Sequence, residues 1–361
     1  MSTSTSATPV VEAQARTIPW GRIIQAVIGL VLVALLVTDV FAPVKPVAFA
    51  GLVVLAIVVV FGLLDQVAPA NITDRIATAI IWLLSIIIVA LLASFLLYLV
   101  FRGFRILSPH FLAMNPKEGA DQVVGPQLWN SFYLLIITML ISIPIGVGAG
   151  IYMAEYAPAN KFTEGIRLAT ETLASLPSII VGLFGLLLFV QVFHLGFSVL
   201  SGALALTVFN LPIIERVAEQ SIRSVPPNLR EGALGLGMTR WQAVRTVVLP
   251  TAIPGLVTGF ILAAGRIFGE AAALLFTAGQ SSSPLNWHDI NLSNYTSPLS
   301  LMRPAESLAV HIWKLNSEGL VPNYRQIADG SAALLILCVL LFNIIARLLG
   351  RTLYRRITAT R

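Results

Sequence analysis

The feature that most constrains this chain is the recurrence of apolar runs about 20 residues long, the length a helix needs to cross the hydrocarbon layer of a bilayer. They run approximately from Arg22 to Phe41, Pro46 to Leu64, Ala77 to Phe101, Leu128 to Met153, Arg167 to Phe193, Phe197 to Val217, Pro254 to Ala278 and Ser331 to Leu349. A soluble core would interrupt its apolar segments with a polar face, whereas this sequence repeats runs long enough to cross the bilayer. With 57% hydrophobic and 11% charged residues, the chain holds more apolar side chain than a soluble fold of 361 residues needs for its core. The sequence predicts an all-α integral membrane protein with eight transmembrane helices.

The net charge of +6 would suggest nucleic acid in a soluble protein. Here most Lys and Arg fall in short loops between apolar runs, where they set orientation, and no nucleic-acid partner is expected. Alternating the loops from a cytoplasmic N-terminus puts about 15 Lys/Arg inside and about 7 outside, with Arg266 left within a helix. Both termini are therefore expected in the cytoplasm. Arg16, Arg22 and the later Ala48-Phe49-Ala50 resemble a signal peptide with its cleavage site, but that site lies too far beyond the first apolar run, so the run is expected to be retained. The lone Cys338 lies in an apolar run, which excludes an intrachain disulfide and suggests neither metal nor redox chemistry.

The expected organisation is a disordered cytoplasmic tail over 1–21, a transmembrane hairpin over 22–64, a six-helix block over 77–350 and a cytoplasmic tail over 351–361. The outer segment from Gly279 to Asp329 is rich in Ser, Asn and Pro, and its apolar patch from Leu308 to Leu315 suits the membrane interface. Between the sixth and seventh runs lies PPNLREGALGLGMTRWQAVRTVVLP, Pro226 to Pro250. Leu229, Ala233 and Leu236 recur at helical spacing, and Gly237 suits a left-handed helix end. Thr239 with Gln242 forms a capping-box pattern that starts a second helix, and Pro250 is expected to stop it. Such an elbow with a small-residue face suits a groove on a partner, or else merely connects two spans.

Within it, Glu231-Gly232-Ala233, three residues, Gly237, nine residues, then Val247-Val248-Leu249-Pro250 resembles the EAA loop of type I ABC importer permeases. Gly232 replaces the usual Ala and Val247 the usual Ile. The resemblance implies that Glu231 through Gly237 enters a cleft on an ATPase subunit and couples its closure to the membrane helices. The Gly232 departure lowers helix propensity by roughly 1 kcal/mol. None of Lys45, Lys117, Lys161 and Lys314 follows a glycine, so this chain carries no phosphate-binding G-x-x-x-x-G-K-[ST] loop; it is expected to be no enzyme and to hold no cofactor, ATP and Mg belonging to the partner ATPase.

Arg266 and Glu270 fall near the middle of the seventh helix, four residues apart and so on the same face. Each costs about 2.5–3.5 kcal/mol at a bilayer centre, so both are expected to face protein or water. Gly265 and Gly269 beside them have the spacing that admits a close neighbour. A buried ion pair that fixes helix position is one reading. In the other, Arg266 presents a planar, permanently charged guanidinium to a tetrahedral oxyanion, with Glu270 orienting it or accepting from hydrogen phosphate. Leu176-Pro177-Ser178 and Pro212 interrupt the fifth and sixth runs, making Pro177 and Ser178 pathway candidates as well as candidates for simple packing kinks.

The stretch GRIFGEAAALLFTAG, Gly265 to Gly279, resembles PstA-type phosphate permeases, as do Ala169 to Gly185 and Ser307 to Trp313. That family implies an inner-membrane heterodimer with a PstC-type sister permease, a PstB-type ATPase dimer and an outer phosphate-binding protein, with Arg266 and Glu270 in the translocation path. Its type I core has six transmembrane helices, to which the first hairpin is an addition. The alternatives are a type I permease for phosphonate, sulfate or molybdate, a secondary transporter or channel, and a membrane-embedded enzyme. The last finds no His/Asp/Glu cluster to support it, since His110, His194, His288 and His311 are isolated in sequence.

Overall fold

A computed structural model describes residues 70–114, 123–281, 285–319 and 323–359. The expected tail over 1–21 and the hairpin over 22–64 lie outside the described residues. Two compact units divide the chain, Met1–Ser94 and Phe95–Arg361. Of the first, the described part belongs to helix α1, Ala70–Phe104, and the apolar side chains from Ile81 to Leu92 stand exposed, as suits a helix in lipid.

The second unit is helical, with no strand among its described residues. After α1 come α2 (Gly125–Ile151), continued by a π-helical turn over Tyr152–Tyr156, then α3 (Lys161–Ser175) and α4 (Ser178–Gly185), which a π-helical stretch extends over Leu186–Val192. Next are α5 (Val199–Arg223), α6 (Pro227–Gly235), α7 (Arg240–Ala243), and α8 (Leu249–Phe268), which follows a π-helical turn over Val244–Val248. The chain ends with α9 (Ala272–Leu275), α10 (Leu308–Glu318) and α11 (Tyr324–Ala359). Among the described residues, five helices are long and apolar enough to cross a membrane, or six if α3 and the α4 stretch count as one span bent by 100°.

That bend corrects the expected fifth run, Arg167 to Phe193, as a single kinked span. Pro177 restricts Leu176 to an extended conformation (ψ 135°), and the chain restarts as a helix only at Ser178. Helix α3 is polar on one side and is tied to the end of α5 by Arg167–Glu219 at 2.7 Å and Arg216–Glu171 at 2.5 Å.

Helices α2 and α5 run in the same direction, because Gly202 meets Leu134, Gly146 meets Ile214 and Gly150 meets Ala218 in one constant register. Helix α8 crosses back against α5 at Gly255 and Gly259, whose missing side chains admit Ser221 and Val217. This pair, and not Gly265 with Gly269, makes the close approach. A side-chain carbon added at Gly265 would lie 3.7 Å from Asn343, and at Gly269 it would meet only its own helix end.

The outer segment is not an interfacial ribbon. Leu308 and Val310 of α10 are fully buried and Leu315 nearly so, packed among Phe111, Val124, Ile327 and Leu334 or against the main core. Before α10, residues 297–307 form a strap across the N-terminal parts of α2 and α5. Val199 and Leu200 N–H groups donate to Arg303 and Leu301 carbonyls, each at 2.9 Å, and Tyr133 Oη donates to the Leu299 carbonyl at 2.6 Å. These contacts satisfy first-turn amides that α5 would otherwise leave unpaired. Tertiary pairing of this kind leaves no local sequence pattern.

Candidate functional site

Helix α8 ends at Phe268, with Gly269 as its cap, so Arg266 occupies the last turn and Glu270 lies beyond the helix. The expected same-face pair is therefore corrected: the helical rotation that would align the two side chains stops between them. Among the described residues no ion pair joins Arg266 to Glu270. Glu270 instead accepts from the Ala273 N–H at 3.3 Å and so caps α9.

Arg266 is exposed on the surface of this chain, and its guanidinium carbon sits 3.9 Å above the centroid of the Phe209 ring. Phe209 is buried near the middle of α5 and is a rigid seat. Three effects hold a cation here: the ring face, worth about 0.5–2 kcal/mol, the negative end of the α8 dipole, worth about 0.3–1 kcal/mol, and planar stacking on the ring. None of them neutralises the charge. Among the described residues no hydrogen bond or ion pair engages its donors.

Beside Phe209, buried Asn210 donates to the Ala263 carbonyl at 3.4 Å, fastening α5 to α8 one turn before Arg266. Sequence reasoning passed over both Phe209 and Asn210. The Asn within an apolar run was the available signal; nothing local singled out one Phe among 18.

Pro177 and Ser178 approach the same level from another direction. A side-chain carbon at Gly182 would lie 2.9 Å from Ala273 Cα, and one at Gly185 would lie 2.6 Å from Thr277 Cγ2, so α4 and α9 lie side by side and parallel. Following both segments back by one turn brings the break at Pro177–Ser178 level with the break at Gly269–Ala271. Broken helices of this kind expose backbone groups to a pathway while protein packing covers the rest.

The elbow over 226–250 has the expected local form up to Gln242. Helix α6 ends at Gly235 with Leu236 as its cap, and Gly237 takes the left-handed conformation at φ 82°. Thr239 and Gln242 form the reciprocal capping box, at 2.8 and 3.3 Å. Glu231 and Gly232 are exposed, Ala233 is buried, and a side-chain carbon at Gly232 would have nothing within 4 Å. Leu234, Leu236 and Trp241 present apolar surface to the outside of the chain, Leu236 at 81% exposure. Pro250 does not stop the helix, contrary to expectation: one helix runs from Arg240 to Phe268. A π-helical turn over Val244–Val248 precedes Pro250, which falls in the first turn of the regular helix that begins at Leu249, where proline is tolerated.

The sequence profile described as binding-protein-dependent transport system inner membrane component matches residues 146–359, more than half of the chain. The chain belongs to this family. A probable ABC transporter permease, YqgI of Bacillus subtilis, is 51% identical over 290 residues, covering 80% of this permease and 99% of its own length. The phosphate transport system permease protein PstA of Yersinia pestis is 36% identical over 234 residues, covering 65% of this permease and 74% of its own length. Among solved structures, a bacterial ABC transporter involved in import of the acidic polysaccharide alginate has a chain that aligns at TM-score 0.53 and 16% identity, covering 77% of this permease and 99% of that chain. That likeness speaks for the fold. This permease is thus a membrane subunit of an ABC import system, with an all-α type I core.

Proposed function

We propose that this permease carries inorganic phosphate across the cytoplasmic membrane as half of a heterodimer with a PstC-type sister subunit. A PstB-type ATPase dimer, which holds the ATP and Mg, works on the cytoplasmic elbows, and a phosphate-binding protein delivers substrate from outside. Both termini lie in the cytoplasm. The observation that carries this reading is the seat of Arg266: a guanidinium stacked on Phe209 in the last turn of a helix long and apolar enough to span the membrane, with no carboxylate partner among the described residues. Its relatives named as phosphate transport permeases support the choice of anion.

Transport follows by alternating access. Binding of ATP closes the ATPase dimer, draws in Glu231 through Gly237 and the apolar Leu236 beside them, and moves α5 and α8. Arg266 meets the phosphate oxygens as a planar fork. Glu270, with one oxygen engaged in capping, keeps the other for the proton of hydrogen phosphate, which fully ionised sulfate lacks. Pro177 and Ser178 line the path at the same level.

The test is competition. Uptake of radiolabelled phosphate by cells whose sole high-affinity phosphate route is this complex is expected to yield to excess unlabelled phosphate, and to resist sulfate, molybdate and phosphonate. Displacement by one of those oxyanions in preference to phosphate would transfer the assignment to it. Uptake that survives ATP depletion and follows an ion gradient would point to a secondary transporter.

A further inference from the structure

Arg230 lies in the elbow next to Glu231, and its guanidinium makes three contacts that reach beyond the elbow. Nε donates to Glu155 Oε1 at 2.8 Å, Nη2 to the Ile222 carbonyl at 2.6 Å and Nη1 to the Val225 carbonyl at 3.1 Å. Both charged side chains are largely withdrawn from solvent, at 24% and 15% exposure, which protects the pair from screening. Glu155 stands in the π-helical turn that closes α2, whereas Ile222 belongs to the last turn of α5. One side chain therefore fastens α6 to the cytoplasmic ends of two spanning helices.

Those two helices are also the pair that packs in register along the membrane, at Leu134 with Gly202, Gly146 with Ile214 and Gly150 with Ala218. Helix α5 carries Phe209, the seat of Arg266. A rigid route thus leads from α6 through Arg230 and α5 to the guanidinium in the membrane. The neighbouring cation Arg223 does not duplicate it, since Arg223 pairs with Glu219 at 2.9 Å and donates to the Met153 carbonyl at 3.2 Å, without touching α6.

We infer that Arg230 is the positioning residue that conveys movement of the elbow to α2 and α5 together, and so sets how tightly ATP hydrolysis is coupled to transport. The chemistry demands arginine. A fixed fork of five donors can hold a carboxylate and two carbonyls at once, and the carbonyls lie at the negative end of α5. Lysine, a point charge, can keep the carboxylate but not all three directions. The inference rests on the importer reading above.

The experiment uses the whole complex in proteoliposomes, with phosphate uptake and ATP hydrolysis measured in the same vesicles. The comparison includes wild type, Arg230→Gln, Arg230→Lys, Glu155→Gln and the double variant Arg230→Gln/Glu155→Gln. With the complex assembled and hydrolysing ATP, Arg230→Gln is expected to lower phosphate moved per ATP about tenfold, the loss of a charged, partly buried hydrogen-bond set. Arg230→Lys and Glu155→Gln, which keep part of the set, should fall less. The double variant should be no worse than Arg230→Gln alone, because both changes cut one path. An unchanged ratio, a parallel fall in uptake and hydrolysis, or loss of the ATPase from the Glu155→Gln and Arg230→Lys complexes would overturn the inference. Failure of the wild-type complex to move phosphate would instead strike at the proposed substrate, so the two readings fail separately.

Discussion

Replacing Gly259 with alanine tests how α8, the helix that carries Arg266, is held. The added carbon would overlap Val217 Cγ1 and lie 2.8 Å from Val217 Cβ and 3.0 Å from Cγ2. Valine in a helix is confined to essentially one rotamer and cannot swing aside, so α5 and α8 must separate. Overpacking of this kind costs about 1–3 kcal/mol, against a gain of about 1 kcal/mol from exchanging glycine for alanine in a helix. At Gly265 the nearest atom beyond its own helix is Asn343 Nδ2 at 3.7 Å, an ordinary contact, so Gly265→Ala keeps the gain without the overlap. The two variants should differ by about 1–3 kcal/mol, and each kcal/mol shifts the midpoint by about 1–2 °C in a chain of this size. Thermal unfolding of the detergent-solubilised complex, followed by tryptophan fluorescence, measures the difference. A lower midpoint for Gly265→Ala than for Gly259→Ala would refute the assignment of the close approach.

Three further outcomes follow from the same contacts. Gly232→Ala, with open space around the added carbon, should stiffen α6 by about 1 kcal/mol and slow hydrogen exchange over 227–235; faster exchange would contradict this. Arg303 is fully buried in the outer strap, donating to Asn130 Oδ1 at 2.8 Å and to the Pro298 carbonyl at 3.0 Å. Arg303→Leu leaves Asn130 Oδ1 unpaired, while the Pro298 carbonyl keeps the Trp129 indole N–H at 3.2 Å, and should destabilise the complex by about 1–3 kcal/mol, read as a drop in unfolding midpoint. Burial also lowers the Arg303 pKa to about 10. The folded form then binds fewer protons than the unfolded form above that pH, so this group makes stability rise as pH climbs through 10, and gives no slope between pH 6 and 9. A neutral-range slope that disappears in Arg303→Leu would contradict that sign.

Much of this architecture is legible in the sequence wherever the cause is local. The capping box at Thr239 and Gln242, the left-handed Gly237 and the break at Pro177 follow from neighbours in the chain, and each is present. The misreadings share a different origin. Arg266 and Glu270 look like one helical face only if the helix continues, and four-residue spacing does not reveal that Gly269 ends it. Pro250 reads as a stop, but it stands in the first turn that follows a π-helical one, where proline is tolerated. Leu308 to Leu315 has the pattern of an interfacial helix, and what buries it is distant in sequence: Phe111, Val124, Ile327 and Leu334. Gly255 and Gly259 have the same spacing as Gly265 and Gly269, so only the position of Val217 and Ser221 distinguishes the packed pair from the open one. Phe209 becomes significant solely because α5 presents it beneath Arg266.

The most direct test of the central claim is ATP-dependent uptake of radiolabelled phosphate into proteoliposomes containing this permease, its sister subunit, the ATPase and the binding protein, with wild type compared against Arg266→Gln. The account predicts uptake in the wild type that requires ATP, and loss of uptake in the variant while the complex stays assembled. Equal uptake in both would contradict it, reducing Arg266 on Phe209 to a packing feature of α5 and α8.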